Sequence, residues 1–286
     1  MKRRSVSGKT ALNSALILLW AVVMITTSDG CVYTVPLRHE KQQPKSPRER
    51  ARFHMPQKPA FPLPYLSKVA EQDSITIWVV DGIFVRDSID EEFSNYGQHG
   101  AFAFIPEREL WLDREAVPDE SEFFIHHLLL ERTMMNGGLA YDSALVAADQ
   151  AELIERRDSG DLAKVMGANG LPDPHKVHEK LWKKLESGLS VWMVNGRLVR
   201  SAFDIDYTEG GHDHVYEFVP QDEVWIDNDV TSVERPYVLF HELHERNLMT
   251  AGWPYSKAHE DASRLELHYR AHPNELHLAL SAEGWE

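Results

Sequence analysis

Cysteine is nearly missing from this chain: Cys31 is the only one in 286 residues, so an intrachain disulfide is excluded. Basic residues are scarce beyond the N-terminus. Residues 1–58 hold 11 Lys/Arg against 3 Asp/Glu, leaving 19 against 42 over the remaining 228 residues, a net of −23. So acidic a body repels phosphate backbones, which argues against nucleic acid as a partner and leaves cations and metal ions easier to accommodate. Long apolar runs are also missing, with one exception. Ala11 to Thr27, interrupted by Asn13 and Ser14, follows Lys2-Arg3-Arg4 and Lys9; it is short for a bilayer span and suits a signal h-region.

Residues 1–31 therefore read as a signal, lipoprotein-like or anchor segment. Cys31, preceded by Gly30, resembles the lipidation site of bacterial lipoproteins, although Ser28 and Asp29 stand where an aliphatic and a small residue are usual. The expectation is a membrane-associated, extracytoplasmic body. Arg38, Lys41, Lys45, Arg48, Arg50 and Arg52 pull toward a cytoplasmic orientation, unless cleavage removes the segment before them. Residues 32–66, rich in Pro, Lys and Arg, read as a linker.

What the chain does have is itself, twice. Residues 78–156 align without a gap on residues 192–270: Trp78 meets Trp192, Gly82 meets Gly196, Trp111-x-Asp113 meets Trp225-x-Asp227, His127 meets His241, and Glu131-Arg132 meets Glu245-Arg246. One fold built twice explains such an alignment. The division expected is a first repeat at 67–157, a connector at 158–189 and a second repeat at 190–286.

Each repeat opens with a hairpin signal. Ile75–Val80 leads through Asp81-Gly82 into Ile83–Arg86, and Val191–Val194 leads through Asn195-Gly196 into Arg197–Arg200. A second strand pair is expected at Ala101–Ile105 with Leu110–Leu112, and at Val215–Val219 with Val224–Ile226. Helical spacing follows from about Glu122 to Met135 and from Arg235 to Met249, then again from Tyr141 and Tyr255 onward. The fold class expected is α+β, each repeat an antiparallel ββββ sheet followed by two helices, with the two repeats packing on each other. In the connector, His175 to Leu185 has the spacing of a short amphipathic helix.

The copies part where chemistry is concerned. The second carries His241-Glu242-Leu243-His244-Glu245 and then His259; the first has Leu128, Leu130 and Leu145 in place of Glu242, His244 and His259. His241 and Glu245 share one helix face, and His259 can return from the next helix through the turn at Gly252-Trp253-Pro254. Two imidazoles and a carboxylate leave a coordination position open for water, a catalytic more than a structural pattern, with Zn2+ or another divalent ion as the cofactor. Glu242 is then the candidate general base. A solvated charged helix face is the plain alternative, and the joint loss of these residues from one copy weighs against it. Asp227 could orient a ligand histidine, though ending a strand is its simpler role; His244 could ligate at spacing three, but the sister copy preserves the His241–Glu245 pair as His127 and Glu131, which leaves His244 solvated or beside a ligand; Tyr255 could face a developing oxyanion, though Tyr141 persists without the site. His212, Asp213 and His214 lie before a strand and could line the cleft, though loop polar groups is their simpler reading, and Glu266 reads as the partner of an arginine.

The segment is similar to a zincin helix with its fifth position changed from His to Glu. Through Trp225-Ile226-Asp227, His241 to Met249 and Gly252 to His259 it also resembles an uncharacterised zincin-like family of small bacterial and phage proteins, in which a His-Glu-x-x-Glu helix precedes a Tyr-x-x-Ala-His helix. By that resemblance both repeats belong to the group, the first degenerate, and the chain is a metal-binding, zincin-like protein. The function expected is a membrane-tethered metal-dependent hydrolase, with protein or peptide as substrate; the alternative is a non-catalytic metal-binding or envelope-associated lipoprotein.

Overall fold

The computed structural model describes residues 22–26, 32–36, 64–72, 74–116 and 119–285. The signal or anchor segment, apart from 22–26, lies outside them, as do Cys31 and most of the linker. Val22–Thr26 (β1) pairs antiparallel with Val32–Pro36 (β2) in a unit of its own. Among the described residues no helix is long and apolar enough to cross a membrane.

In the second unit, two four-stranded sheets repeat one topology. Tyr65–Gln72 (β3), Ile75–Val80 (β4), Tyr96–Gln98 (β5) and Glu109–Asp113 (β6) lie in the order β3-β4-β6-β5. His178–Lys184 (β7), Ser190–Val194 (β8), Gly210–His212 (β9) and Glu223–Asp227 (β10) lie in the order β7-β8-β10-β9. The α+β class holds, but the sheets are mixed: β4 runs parallel to β6 and β8 to β10, and only the outer strands pair antiparallel.

The parallel pairing follows from what stands at Asp81-Gly82 and Asn195-Gly196. Neither turn is a hairpin. Asp81 and Asn195 are N-caps, accepting from the amides of Phe84 at 3.3 Å and Leu198 at 2.9 Å, and they start the short helices Gly82–Ser88 (α1) and Gly196–Ala202 (α5). The glycines are there for space: a Cβ on Gly196 would sit 1.8 Å from the Asp227 carboxylate, and one on Gly82 the same distance from Asp113. Ile83–Arg86 and Arg197–Arg200 are thus helical instead of extended. Ala101–Ile105 and Val215–Val219 are turns, with the third strand of each repeat falling earlier, at β5 and β9. The helix expected at His175–Leu185 is also replaced, by a 3-10 turn at Pro174–Val177 and the edge strand β7, the counterpart of β3.

The long helices lie where the periodicity put them: Ser121–Asn136 (α2) and Tyr141–Asp158 (α3) in the first repeat, Arg235–Thr250 (α6) and Tyr255–Ala271 (α7) in the second. Asp161–Val165 (α4) joins the repeats and Leu276–Ala282 (α8) closes the chain. Alternation along the central strands divides each core between two faces. Val191, Met193, Val224 and Ile226 pack toward Leu239, Phe240 and Leu243 of α6, while Trp225 and Val194 pack with Val199, Tyr207 and Val219 on the other side. Each such buried side chain stabilises by roughly 1.5–3 kcal/mol, which anchors α6 and so fixes what its other face presents.

The repeats meet through buried charge. Glu120, at the start of α2, is held by Arg156 of its own repeat at 2.5 Å and by Arg200 of the other at 2.9 Å. Glu234, its counterpart before α6, is held by Arg270 and by Arg86 of the first repeat, each at 2.9 Å. Each repeat thus lends an arginine to the other's acid, the reciprocal pattern of a two-fold interface.

Candidate metal centre

Three of the residues marked in the sequence converge. His241 Nε2 lies 3.1 Å from His259 Nδ1, His259 Nδ1 lies 2.8 Å from Glu245 Oε2, and Glu245 Oε2 lies 3.7 Å from His241 Nε2. Two of the three come from successive turns of α6, and the third from α7, which Gly252 at φ 93° and the extended Pro254 send back alongside. Donor atoms around a tetrahedral zinc, with bonds of about 2.0–2.2 Å, stand roughly 3.3 Å apart. The triangle fits a small divalent ion.

Each member is aimed by a further partner. His241 Nδ1 contacts Glu266 Oε2 at 2.8 Å, so that nitrogen donates and Nε2 is the one turned to the triangle, where it would meet an ion. Glu266 in turn accepts from Arg270 at 2.8 Å, and Arg270 reaches Glu234. On the other side, His212 Nε2 lies 3.0 Å from Glu245 Oε1 while its Nδ1 accepts from the His214 amide at 3.2 Å. With Nδ1 accepting, the neutral ring carries its proton on Nε2 and donates it to Glu245. Hence the two oxygens of Glu245 divide, Oε1 to His212 and Oε2 to the triangle.

Electrostatics in the ion-free site follow from this packing. Burial would raise the Glu245 carboxyl, but hydrogen bonds from His212, His241 and His259 hold it well below the usual range. Burial opposes charging His259, yet Glu245 and Glu92 lift it to about 9; His241 is raised well above an ordinary histidine against the same opposition, by Glu245 and Glu266. Glu242 is pushed up to about 8 by burial and by the Glu245 charge. It faces the short strand β9, where a Cβ on Gly210 would stand 2.9 Å from its Oε1. Glu242, His212 and Glu245 also offer donor atoms within 4.8 Å of one another, but the proton on His212 Nε2 makes that imidazole a donor to Glu245 instead of a ligand.

A cavity of about 140 Å³ opens onto the triangle, lined by Glu242, Tyr255, Glu209 and Glu266 of the second repeat and by Glu91, Glu92 and Ser94 of the first. Tyr255 stacks on His259, ring centroids 5.4 Å apart. Two of the marked residues lie elsewhere. Asp227 is buried against Arg200 at 2.7 Å, and His244 bridges Asp261 at 3.0 Å and Glu283 at 2.7 Å, tying α6 to the C-terminal helices. A third group, His175, His178 and Glu223, has donors close enough for an ion, but Glu223 already accepts from Trp225 Nε1 at 2.8 Å and pairs with His178 at 2.9 Å, whose ring stacks on Trp192.

The corresponding place in the first repeat is closed. His127 is buried, 3.8 Å from Glu131 and 2.9 Å from Glu152, and Leu128 has joined the apolar core. The sequence reading left His212 among loop groups, whereas it ends strand β9 and reaches Glu245; it passed over Glu209, which lines the cavity. The signal for them was the same copy comparison that marked Glu242: Gln98 and Asn95 stand in their places. Compared with protein-family models, curated proteins and solved structures, the chain matches none.

Proposed function

We propose that this chain is a metal-dependent hydrolase of amide or peptide bonds, with one divalent ion, most simply zinc, held by His241, Glu245 and His259. The observation that carries the reading is the donor triangle with Glu242 facing the same cavity, in the one repeat that keeps all four residues. The resemblance of the His-Glu-x-x-Glu and Tyr-x-x-Ala-His helices to a zincin-like group supports it. A divalent ion at such a site polarises a carbonyl and acidifies a water ligand.

The protein's own groups do the rest. His241 Nε2, His259 Nδ1 and Glu245 Oε2 bind, and Glu266 and His212 keep them aimed. Glu242 lines the same cavity with its carboxyl pushed up to about 8; the charge of an ion at the triangle would lower it, leaving a carboxylate to take a proton from water there. Tyr255, its hydroxyl raised far from ionisation by burial, remains a donor facing the cavity. The N-terminal apolar segment and Cys31 support tethering at a membrane, the body on the extracytoplasmic side, with protein or peptide as the substrate.

Elemental analysis of the purified chain tests the site. About one equivalent of zinc is expected, lost in His259→Ala and kept in His127→Gln. Glu242→Gln is expected to retain the ion and to lose hydrolysis across a peptide and amide panel. No zinc after reconstitution refutes the proposal; zinc retained by every variant makes the ion foreign to this site.

A further inference from the structure

The cavity over the donor triangle is built from both repeats, and the way the copies have diverged follows the site instead of the copy boundary. Among the differences, the second repeat has His212, Glu242 and His259 at the site where the first has Gln98, Leu128 and Leu145. The loop that follows α1 reverses the pattern. There the first repeat has Asp90-Glu91-Glu92, and the second has Asp204-Ile205-Asp206. Two-fold packing places each loop over the other repeat's site: Glu91 and Glu92 line the cavity of the second repeat, while the charge of Asp206 is felt by Tyr96, beside His127, in the first. The loop facing the open site carries Glu91, and the loop facing the closed one carries Ile205 at the matching position. A carboxylate kept only where it faces the cavity points to a task in that cavity.

The two acids divide that task. Glu92 lies 3.8 Å from His259 Nε2, on the far side of the ring from the donor triangle, and so belongs with the groups that aim His259. Glu91 has no such partner ring. Burial raises its carboxyl, helped by the acids Glu92, Asp90 and Glu266 and opposed by a backbone hydrogen bond. Across the cavity stands Glu209, at φ 54°, a left-handed conformation that its counterpart Asn95 (φ 55°) adopts more readily than a glutamate does. Glu209 is itself drawn toward Arg86 at 3.1 Å. The cavity lining includes no lysine or arginine.

We propose that Glu91, supplied by the first repeat, is the specificity-determining residue of the second repeat's site and receives the ammonium or guanidinium of a basic substrate side chain. The proposal rests on the hydrolase reading for the word substrate, but selection of a cation can be measured without turnover. A hydroxamate binds a zinc ion directly, so a pair that differs only in side-chain charge reports the wall and not the chemistry.

The test is calorimetric titration of the zinc-loaded full chain with N-acetyl-lysine hydroxamate and N-acetyl-norleucine hydroxamate. The lysine compound is expected to bind at least about tenfold more tightly at low salt, with the margin shrinking as salt rises. Glu91→Gln is expected to remove the margin while leaving zinc content and norleucine-hydroxamate affinity unchanged; Asp206→Asn, on the opposite loop, is expected to keep it. Equal affinities in the parent chain, or a preference that survives Glu91→Gln, would overturn the proposal while leaving the metal site standing. A second equivalent of zinc that vanishes in Glu91→Gln would also overturn it, assigning the wall to an ion. Absence of zinc, with neither hydroxamate bound, would mean that the hydrolase reading itself had failed, taking the selection with it.

Discussion

The two repeats carry one buried chain of charge and differ in what hangs from its end. In the first, His127 meets Glu152 at 2.9 Å, Glu152 meets Arg156 at 2.7 Å, and Arg156 meets Glu120, which reaches Arg200 across the interface. In the second, His241, Glu266, Arg270, Glu234 and Arg86 follow in the same order. This explains why the first repeat, which has no counterpart of Glu242 or His259, still keeps His127 and Glu152. These residues belong to the interface as much as to any ion, and removing one would leave the next charge buried without its partner. Glu242 and His259 stand outside that chain, which places no constraint on their counterparts Leu128 and Leu145.

If the shared chain is what holds the repeats together, cutting it at the crossing should produce the largest effect. Arg86 serves Asp113, Glu115, Glu209 and Glu234. Arg86→Met leaves Asp113 and Glu115 without their arginine and Glu234 with Arg270 alone, and a loss of roughly 3–5 kcal/mol is expected in urea unfolding monitored by circular dichroism. Arg200→Met, at the matching crossing, should cost a similar amount. A loss under about 1 kcal/mol in both would mean that the two repeats stay together through apolar contact alone.

The next cut separates interface from site. Glu266→Gln and Glu152→Gln weaken the same link in the two copies, but only Glu266 aims an open ligand. Zinc affinity, measured by competition with a chelator, is expected to fall about 10–100-fold in Glu266→Gln and to stay unchanged in Glu152→Gln. Equal effects in the two variants would make the chain of charge, and not the aiming of His241, the source of the loss.

A pH titration sharpens the contrast. His259 and Glu242 hold protons more tightly folded than unfolded, at about 9 against 6.5 and about 8 against 4.5. Groups whose folded values are raised contribute stability that is fully present below the unfolded value and disappears as pH climbs through the folded one. The ion-free chain should therefore lose stability as pH rises from about 4.5 to about 9 through these two groups. Zinc competes with the protons on its ligands, so the loaded chain should gain stability over the upper part of that range instead. Urea midpoints with zinc and with chelator, taken every half unit, check both slopes; parallel slopes would contradict the assignment.

How far this contrast could be read before folding depended on the range of each signal. The helices at 121–136 and 235–250 were legible because sixteen residues of 3.6-residue periodicity, ended by glycines, outweigh local ambiguity. Asp81-Gly82 and Asn195-Gly196 were misread as hairpins because a short polar side chain before glycine suits a two-residue turn and an N-cap alike. What decided between them was the carboxylate of Asp113 or Asp227, some thirty residues away in the chain, occupying the place of the missing Cβ. The strands β5 and β9 have three residues each, too few for alternation to register. His241, Glu245 and His259 could be grouped because helical spacing and one turn relate them. His212 could not, since only the packing of β9 against α6 brings it to Glu245.

His212 provides the finest cut. Gln98 stands in its place in the first repeat, and a glutamine amide, like a neutral imidazole, has an N–H to donate. If His212 acts by donating from Nε2 to Glu245 Oε1, glutamine should serve nearly as well: His212→Gln is expected to lower zinc affinity by less than about tenfold, and His212→Leu, which leaves Glu245 Oε1 without its donor, by more than that. A ligand role predicts otherwise, because an imidazole nitrogen bound to zinc is not replaced by an amide, and His212→Gln would then fall with His212→Leu. Chelator competition on the two variants, beside the parent chain, separates an aiming residue from a fourth ligand.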